Sequence, residues 1–208
     1  MLRRTWLAAP FVFIAGCGRI EEWSMPPSPG SRPDALVSLP AQRLALVLAD
    51  LPVGFDVGQE LVSVTPTGAM DPPDPFGRLS AYAVIFRAPG NRGHAGDVVS
   101  SVNAYVGMTE AKAAFASWQA AVPGNYRRAE APPPGAPPGA AAFVQAADGS
   151  CLLGFRSHNV IASVRVGPTT VPLQAVTRGG AGDSATPVAQ AVRLAALVLR
   201  RIDAGAGR

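Results

Sequence analysis

The stretch AAAFVQAADGSCLLGFRSHNVIASVRVG, residues 140–167, decides the fold. It divides into three apolar segments of eight residues, at 140–147, 150–157 and 160–167. The pairs that separate them, Asp148-Gly149 and His158-Asn159, are both typical of turns, and Asp-Gly is favoured in two-residue hairpin loops. The stretch therefore predicts a meander of three antiparallel strands.

The first half of the chain predicts more elements of the same kind. Apolar, β-branched segments at 57–66, 78–88 and 97–107 are typical of strands. Helical spacing of apolar residues predicts a short helix that ends at Pro52, a helix over 110–122 with Thr109 as its N-cap, and a final helix with Thr186 as N-cap and Pro187 in its first position. We expect an α+β fold, with an antiparallel sheet of about six strands covered by two or three amphipathic helices.

Composition divides the chain into four parts. An apolar leader covers 1–16, a Pro/Ser-rich tether covers 17–40, and one α+β domain covers 41–203, followed by a short disordered tail at 204–208. The proline-rich segment 131–140 reads as a surface crossing inside the domain, because the strands on either side are too few to hold a core alone.

The N-terminal residues indicate export and anchoring. Arg3 and Arg4 precede an apolar run of about ten residues, the length of a signal-peptide core and well short of the ~20 residues of a membrane span. The string Ile14-Ala15-Gly16-Cys17 that follows resembles the lipobox of bacterial lipoproteins. This resemblance implies cleavage before Cys17 and a diacylglycerol on its sulfur, which would anchor the protein to a membrane of the cell envelope on the periplasmic or extracellular side.

Two other interpretations of Cys17 stay open: an ordinary secreted protein with a coincidental cysteine, and an uncleaved membrane anchor. The second cysteine, Cys151, is best read as a small buried apolar residue. A disulfide between Cys17 and Cys151 and a reactive thiol at Cys151 are the alternatives.

Charge and motifs exclude several classes of function. The formal charge of +4 falls to +2 once Arg3 and Arg4 are removed, and the arginines are scattered, so nucleic acid is not expected as a partner. No tight zinc spacing is present; His94 and Asp97 are explained by turn polarity, and we expect no metal or other cofactor.

The sequence also lacks a recognisable catalytic motif. The Gly-Asp-Ser at 182–184 is similar to the nucleophile block of SGNH-type lipases, but it lies near the end of the chain and no histidine follows it. Neither a Gly-x-Ser-x-Gly elbow nor a phosphate-binding glycine loop is present. We therefore expect a protein that is not an enzyme.

Binding is the remaining class. Segment 78–88 is apolar on both faces, so that one face is either covered or lines a cleft. Candidate ligand-binding residues on the predicted strands are Arg87, Arg156, Arg165, Tyr82 and Tyr105. The arginines lie on neighbouring predicted strands and could converge on an anion; the alternative is that they are exposed strand ends.

The segments 48–55, 109–118 and 154–167, in this order before a final helix, are similar to uncharacterised lipoproteins of GC-rich bacteria. More distantly, residues 41–203 resemble the PsbP-like fold of LpqN-type lipoproteins and of the extracellular sensor domain of PknH-type kinases. The resemblance implies an α+β sheet domain with a cleft for a ligand or partner, and no catalytic residues. The cysteine pairs of the kinase sensor are absent from this chain.

The sequence thus favours a lipid-anchored, non-catalytic envelope protein that binds a small apolar or anionic ligand or an envelope partner. Two alternatives remain: a structural or interaction lipoprotein without a small-molecule pocket, and a hydrolase with an unrecognised site.

Overall fold

Seven strands form one antiparallel sheet in the computed structural model, which describes residues 35–64, 74–88, 96–145, 147–168 and 186–206. The strands are β1 (Asp56–Val64), β2 (Arg78–Arg87), β3 (Val98–Tyr105), β4 (Tyr126–Arg128), β5 (Ala141–Gln145), β6 (Cys151–Ser157) and β7 (Val160–Val166). Their order across the sheet is β1-β2-β3-β7-β6-β5-β4. Two meanders, β1 to β3 and β4 to β7, are therefore joined through the ladder between β3 and β7.

Helices cover the two faces of this sheet unequally. The helices are α1 (Ala41–Leu44), α2 (Met108–Ala121) and α3 (Pro187–Ala206), and a single 3-10 turn follows α1 at Leu48–Asp50. α3, α1 and the segment around them pack on one face, which we call the α3 face, and α2 packs on the opposite α2 face. Because successive side chains of a strand point to opposite faces, the strands contribute to a hydrophobic core on each face. Val98, Val102 and Ala104 face α3, whereas Tyr105 and Ile161 pack with the apolar side chains of α2 in what we call the α2 cluster.

The expected class is confirmed, since the chain forms an α+β fold with an antiparallel sheet and covering helices. The turn between β6 and β7 has the two expected residues, with His158 at φ 53° and Ser157 opposite Val160. The loop around Gly149 (φ 72°) is longer than expected, because Gln145 N–H already bonds to Ser150 O at 2.9 Å. β4 was not expected: three residues are too few for an alternating pattern.

The predicted end of the first helix and the predicted start of the second helix need correction. The first helix ends at Leu44, because Ala45 is extended (ψ 169°) and Leu46 N–H instead donates to Ser100 Oγ at 3.3 Å. α2 begins at Met108 rather than after Thr109: Gly107 is its N-cap, and Gly107 O accepts the first helical bond from Ala111 N–H at 3.1 Å. The Thr186 cap of α3 is confirmed by a 3.3 Å bond from Ala189 N–H to Thr186 Oγ1.

The domain extends beyond both predicted boundaries. Val37 is buried at 3% exposure, and the buried Asn159 side chain accepts Val37 N–H at 2.8 Å and donates to Val37 O at 3.3 Å. At the other boundary Gly205 and Ala206 are buried in α3. Residues 35–40 and 204–206 therefore belong to the fold rather than to a tether and a tail, because their apolar side chains close the same end of the core.

Several predicted features lie outside the described residues: the leader 1–16, Cys17, His94, and Asp183-Ser184. In the part of the chain that the structure does describe, none of the helices has the length and apolar character needed to cross a membrane.

Candidate functional site

Half of the α2 face is not covered by a described helix. α2 packs against β3, β7 and β6, and the described residues place no helix over this face of β1 and β2. The reason lies in the connection: Tyr105 ends β3, and the chain turns through Gly107 into α2. This helix then runs toward the β5–β6 side, where Trp118 packs against Phe143. The described residues thus leave the β1–β2 half of this face open.

Small side chains make this open half concave. Ala83 lies opposite Ser101 on β3 and Leu61 on β1, and Ala81 lies opposite Asn103. Directly opposed residues share a face, so these side chains project together from the α2 face. They line a groove of about 390 Å³ together with Arg78 and with Val62 and Tyr82, whose side chains lie on the opposite, α3 face. Its volume falls in the range of small-molecule pockets, roughly 300–1,000 Å³.

One end of the groove is polar. Arg78 Nε lies 3.3 Å from Asp74 Oδ2, and Arg78 Nη1 donates to Asn103 Oδ1 at 3.5 Å. Asn103 Nδ2 in turn donates to Ser101 Oγ at 3.5 Å. A guanidinium, an amide and a hydroxyl are thus held in a row beside an apolar floor. Such a row can bind an anionic or carbonyl group, because a guanidinium carries five N–H donors in a planar fork.

A strand irregularity places Arg78 in this row. The register between β2 and β3 shifts between Arg78 and Ser80, so Arg78 lies opposite Tyr105 and shares its face, although strict alternation would put it with Ser80. Sequence reasoning missed Arg78 for this reason: the apolar pattern of β2 gives no sign of the bulge. It also missed Asn103 and Ser101, which lie on β3 in regular register.

Tyr105 and Tyr82 lie on opposite faces of the sheet. Tyr105 belongs to the α2 cluster near the polar end, where burial and the Asp74 carboxylate raise its phenol pKa while Arg78 opposes that shift. Tyr82 is buried on the α3 face, where burial, the charge of Glu60 and a hydrogen bond to its carboxylate raise the pKa. Both phenols stay neutral, and the structure does not bring the two hydroxyls to one site.

The three predicted arginines also do not converge. Arg156 and Arg165 lie at opposite ends of the β6–β7 ladder, since Arg156 pairs with Ile161, four residues before Arg165. At about 3.4 Å per residue this separates their Cα atoms by roughly 14 Å. Arg156 Nη1 donates to His158 O at 3.1 Å, and Arg165 Nε donates to Tyr126 Oη at 3.0 Å. Both guanidiniums are therefore held by structural partners.

Arg87 is exposed at the end of β2, where its side chain lies over Gly58. A Cβ at residue 58 would stand 2.7 Å from Arg87 Nε, so glycine leaves the space that this side chain occupies. Arg87 is on the α2 face but at the far end of β2 from Arg78, about nine residues away. It borders the open half of the sheet rather than the polar end of the groove.

A cluster of Ser157, His158 and Asp203 lies at the C-terminal end of α3. Ser157 Oγ donates to Asp203 Oδ1 at 3.3 Å, and His158 Nε2 is 3.7 Å from the same oxygen. In a hydrolytic triad the histidine must accept the proton of the serine, whereas here the serine hydroxyl and the imidazole both contact the Asp203 carboxylate. No group of three or more metal-ligating side chains occurs among the residues that the structure describes.

Comparison with solved structures gives a structural likeness. The chain is similar to the extracellular domain of PknH from Mycobacterium tuberculosis, with a TM-score of 0.45 and 14% sequence identity, over 82% of this chain and 100% of that domain. No protein-family model matches the chain. No curated protein matches it either.

Proposed function

We propose that this protein is a non-catalytic binding module of the cell envelope, held to a membrane by a lipid on Cys17, and that its ligand binds in the groove on the α2 face. The groove itself is the observation that carries the proposal. It combines an apolar floor of Ala81, Ala83 and Leu61 with the polar end formed by Arg78 and Asn103.

The two parts of the groove define the class of ligand. The floor offers apolar contact worth about 25 cal/mol per Å² that is removed from water. At the polar end, the bond between Arg78 and Asp74 is partly exposed, with side-chain exposures of 38% and 20%. A ligand anion can approach the guanidinium of Arg78 there and compete with Asp74 for it, because a partly exposed ion pair is held by no more than about 1 kcal/mol. A small apolar molecule fits the floor, and an anionic molecule fits the polar end.

Native mass spectrometry of the full chain, purified gently from its own host in a mild detergent, tests the ligand. Extra mass that disappears on denaturation supports the proposal, and its value identifies the ligand. Ala83→Phe, which fills the floor, should abolish that mass, whereas Val53→Phe, at a side chain that is 95% exposed, should keep it. A bound mass that persists in Ala83→Phe places the ligand elsewhere and contradicts the groove.

The anchor is tested separately. A Cys17→Ser variant should not label with radioactive palmitate and should leave the membrane fraction. Continued labelling would show that the lipid is attached elsewhere.

The second candidate is a structural or interaction lipoprotein without a small-molecule ligand. The large apolar side chains exposed along β1 favour it, because such side chains mark sites of protein contact. A bare apo mass in the native spectrum would support this candidate over the first.

A further inference from the structure

The two edges of the sheet are built differently. β4, at one edge, has three residues, and two of them are the exposed Arg127 and Arg128. Short length and cationic side chains are the usual means by which proteins prevent strands from adding to a sheet edge. β1, at the other edge, has nine residues and contains no lysine, arginine or proline. Within the described residues β1 differs from β4 in its length and in the sign of its charge, although it has an irregularity between Val57 and Gln59.

β1 also exposes apolar side chains toward both faces. Val57, Leu61 and Val62 are 45%, 55% and 59% exposed. Leu61 shares the α2 face with Ala83, and Val62 shares the α3 face with Tyr82. Neither hydrophobic cluster of the described residues includes a residue of β1. The strand is thus held mainly by its ladder to β2, and its apolar side chains are not explained by core packing.

We infer that β1 is a docking edge for an extended segment of a partner protein, which adds to the sheet as a further antiparallel strand and carries cationic side chains alternating with apolar ones. In this mode, main-chain hydrogen bonds along the edge supply affinity, and alternate side chains supply specificity.

The cationic character follows from the charges of β1. Asp56 and Glu60 are its only ionisable side chains. Glu60 is exposed at the middle of the strand and pairs with Val84, so its side chain lies on the α3 face, where burial and, after it, the charge of Glu60 raise the pKa of Tyr82. The register therefore places the carboxylate on the α3 face of the edge, where a lysine or arginine on an added strand would lie directly opposite it. Opposite charges in a cross-strand pair are favourable, by roughly 0.2–1 kcal/mol.

The alternation follows from the position of Leu61. Its side chain projects from the opposite face to that of Glu60, so the neighbouring residue of an added strand would pack against Leu61 rather than against the carboxylate. An apolar residue suits that position, and a cation suits the next.

A second copy of this chain is a poorer occupant. Pairing two β1 strands would bring two acidic strands together, and like charges across a ladder are unfavourable. The apolar area is also too small: a stable interface buries about 800 Å² on each partner, and three half-exposed aliphatic side chains supply well under half of that. A single added strand needs less area, because the backbone bonds contribute to its binding.

The probe is a fluorescein-labelled ten-residue peptide that alternates valine with lysine, added to the full chain in mild detergent. One matched peptide replaces lysine with glutamate, and another has proline at its centre. We expect the valine–lysine peptide to bind, to slow hydrogen exchange of the amides at 56–64, and to outcompete both matched peptides by at least tenfold.

Charge reversal makes the test sharp. Glu60→Lys should weaken the valine–lysine peptide at least tenfold and strengthen the valine–glutamate peptide, whereas Val53→Lys, a matched control at an exposed loop position, should change neither. Both substitutions are at exposed side chains, and an unchanged thermal midpoint will verify folding. Peptide binding without slowed exchange at 56–64, or with equal affinity in Glu60→Lys, would overturn the inference, as would a chain that dimerises through β1 in sedimentation.

This edge and the proposed groove are separable, although Leu61 and Val62 border both. Ala83→Phe should block the groove and leave the peptide affinity unchanged. Glu60→Lys should weaken peptide binding and leave ligand binding in the groove unchanged. If Ala83→Phe abolishes peptide binding and Glu60→Lys does not, the peptide occupies the groove and the edge assignment is wrong.

Discussion

The six-membered ring of Trp118 on α2 occupies the space directly above the Cα of Gly154 on β6, where the Cβ of any other residue would stand. The same indole stacks on Phe115 (centroids 5.5 Å apart, 8° between planes) and meets the edge of Phe143 (5.7 Å, 83°). Gly154 does not have a positive φ, so glycine is required here because it leaves space for the indole ring. The position of α2 on the sheet, and with it the extent of the open half, depends on this contact.

Gly154→Ala should therefore destabilise the fold by displacing Trp118. Overpacking of a tight contact costs about 1–3 kcal/mol, and we expect a loss of that size in urea unfolding, with altered tryptophan fluorescence. Gly124→Ala is the matched control, since a Cβ there meets nothing within 4 Å. Equal stability of Gly154→Ala and Gly124→Ala would contradict the packing argument.

Asn159→Ala should release the N-terminal segment. Besides its two bonds to Val37, the Asn159 side chain donates to Tyr105 O at 2.7 Å, and the residue is only 2% exposed. Removing it leaves buried backbone groups without partners, so we expect a loss of about 2–4 kcal/mol. Hydrogen exchange should quicken first at residues 35–39. Asn159→Asp keeps the acceptor for Val37 N–H but sets a carboxylate oxygen against the carbonyls of Val37 and Tyr105, and should destabilise the fold at least as much as Asn159→Ala. A fully protected 35–39 segment in Asn159→Ala would refute the role of this side chain.

Cys151 should react with thiol reagents only after unfolding. The residue is fully buried, and burial raises the pKa of its thiol from an ordinary 9.0 to about 11. Because the folded state holds the proton more tightly, stability is complete below pH 9 and falls as the pH rises toward 11. Between pH 8 and 10.5 the wild type should lose about 1–2 kcal/mol more unfolding free energy than Cys151→Ala. Tyr82 and Tyr105 titrate in both proteins, so the difference isolates the thiol; parallel pH profiles would contradict its burial.

Asp50→Asn should weaken the attachment of the segment after α1. Arg201 donates from both terminal nitrogens to Asp50, at 2.8 and 2.7 Å, and also to Ala45 O at 2.7 Å. Asp50 is 11% exposed, so the pair is partly shielded from water, and we expect a cost of about 1–3 kcal/mol by chemical denaturation. Asp74→Asn, in the more exposed pair with Arg78, should cost no more than about 1 kcal/mol. The reverse order of the two costs would show that burial does not set their strength.

The fold was largely predictable because its signals are local. Hairpins need only alternation and turn residues, and both are visible around Asp148-Gly149 and His158-Asn159. The segment after α1 was not predictable, because its extended backbone at Ala45 depends on Arg201, 156 residues further along the chain. The same limit applies to the site. Arg78 reaches the groove through a bulge that the apolar pattern of β2 does not show. The separation of Arg156 and Arg165, by contrast, follows from the two-residue turn at His158-Asn159 and was predictable.

The clamp between Asn159 and Val37 also determines how the domain responds to mechanical force. Tension on the chain ahead of Ala35 reaches the fold first at these side-chain bonds, at the turn between β6 and β7, before it loads any ladder of the sheet. Such a pull breaks the bonds one after another instead of all together. The domain should therefore give way in two stages: a small extension as residues 35–39 detach, and a much larger one only when the sheet itself opens.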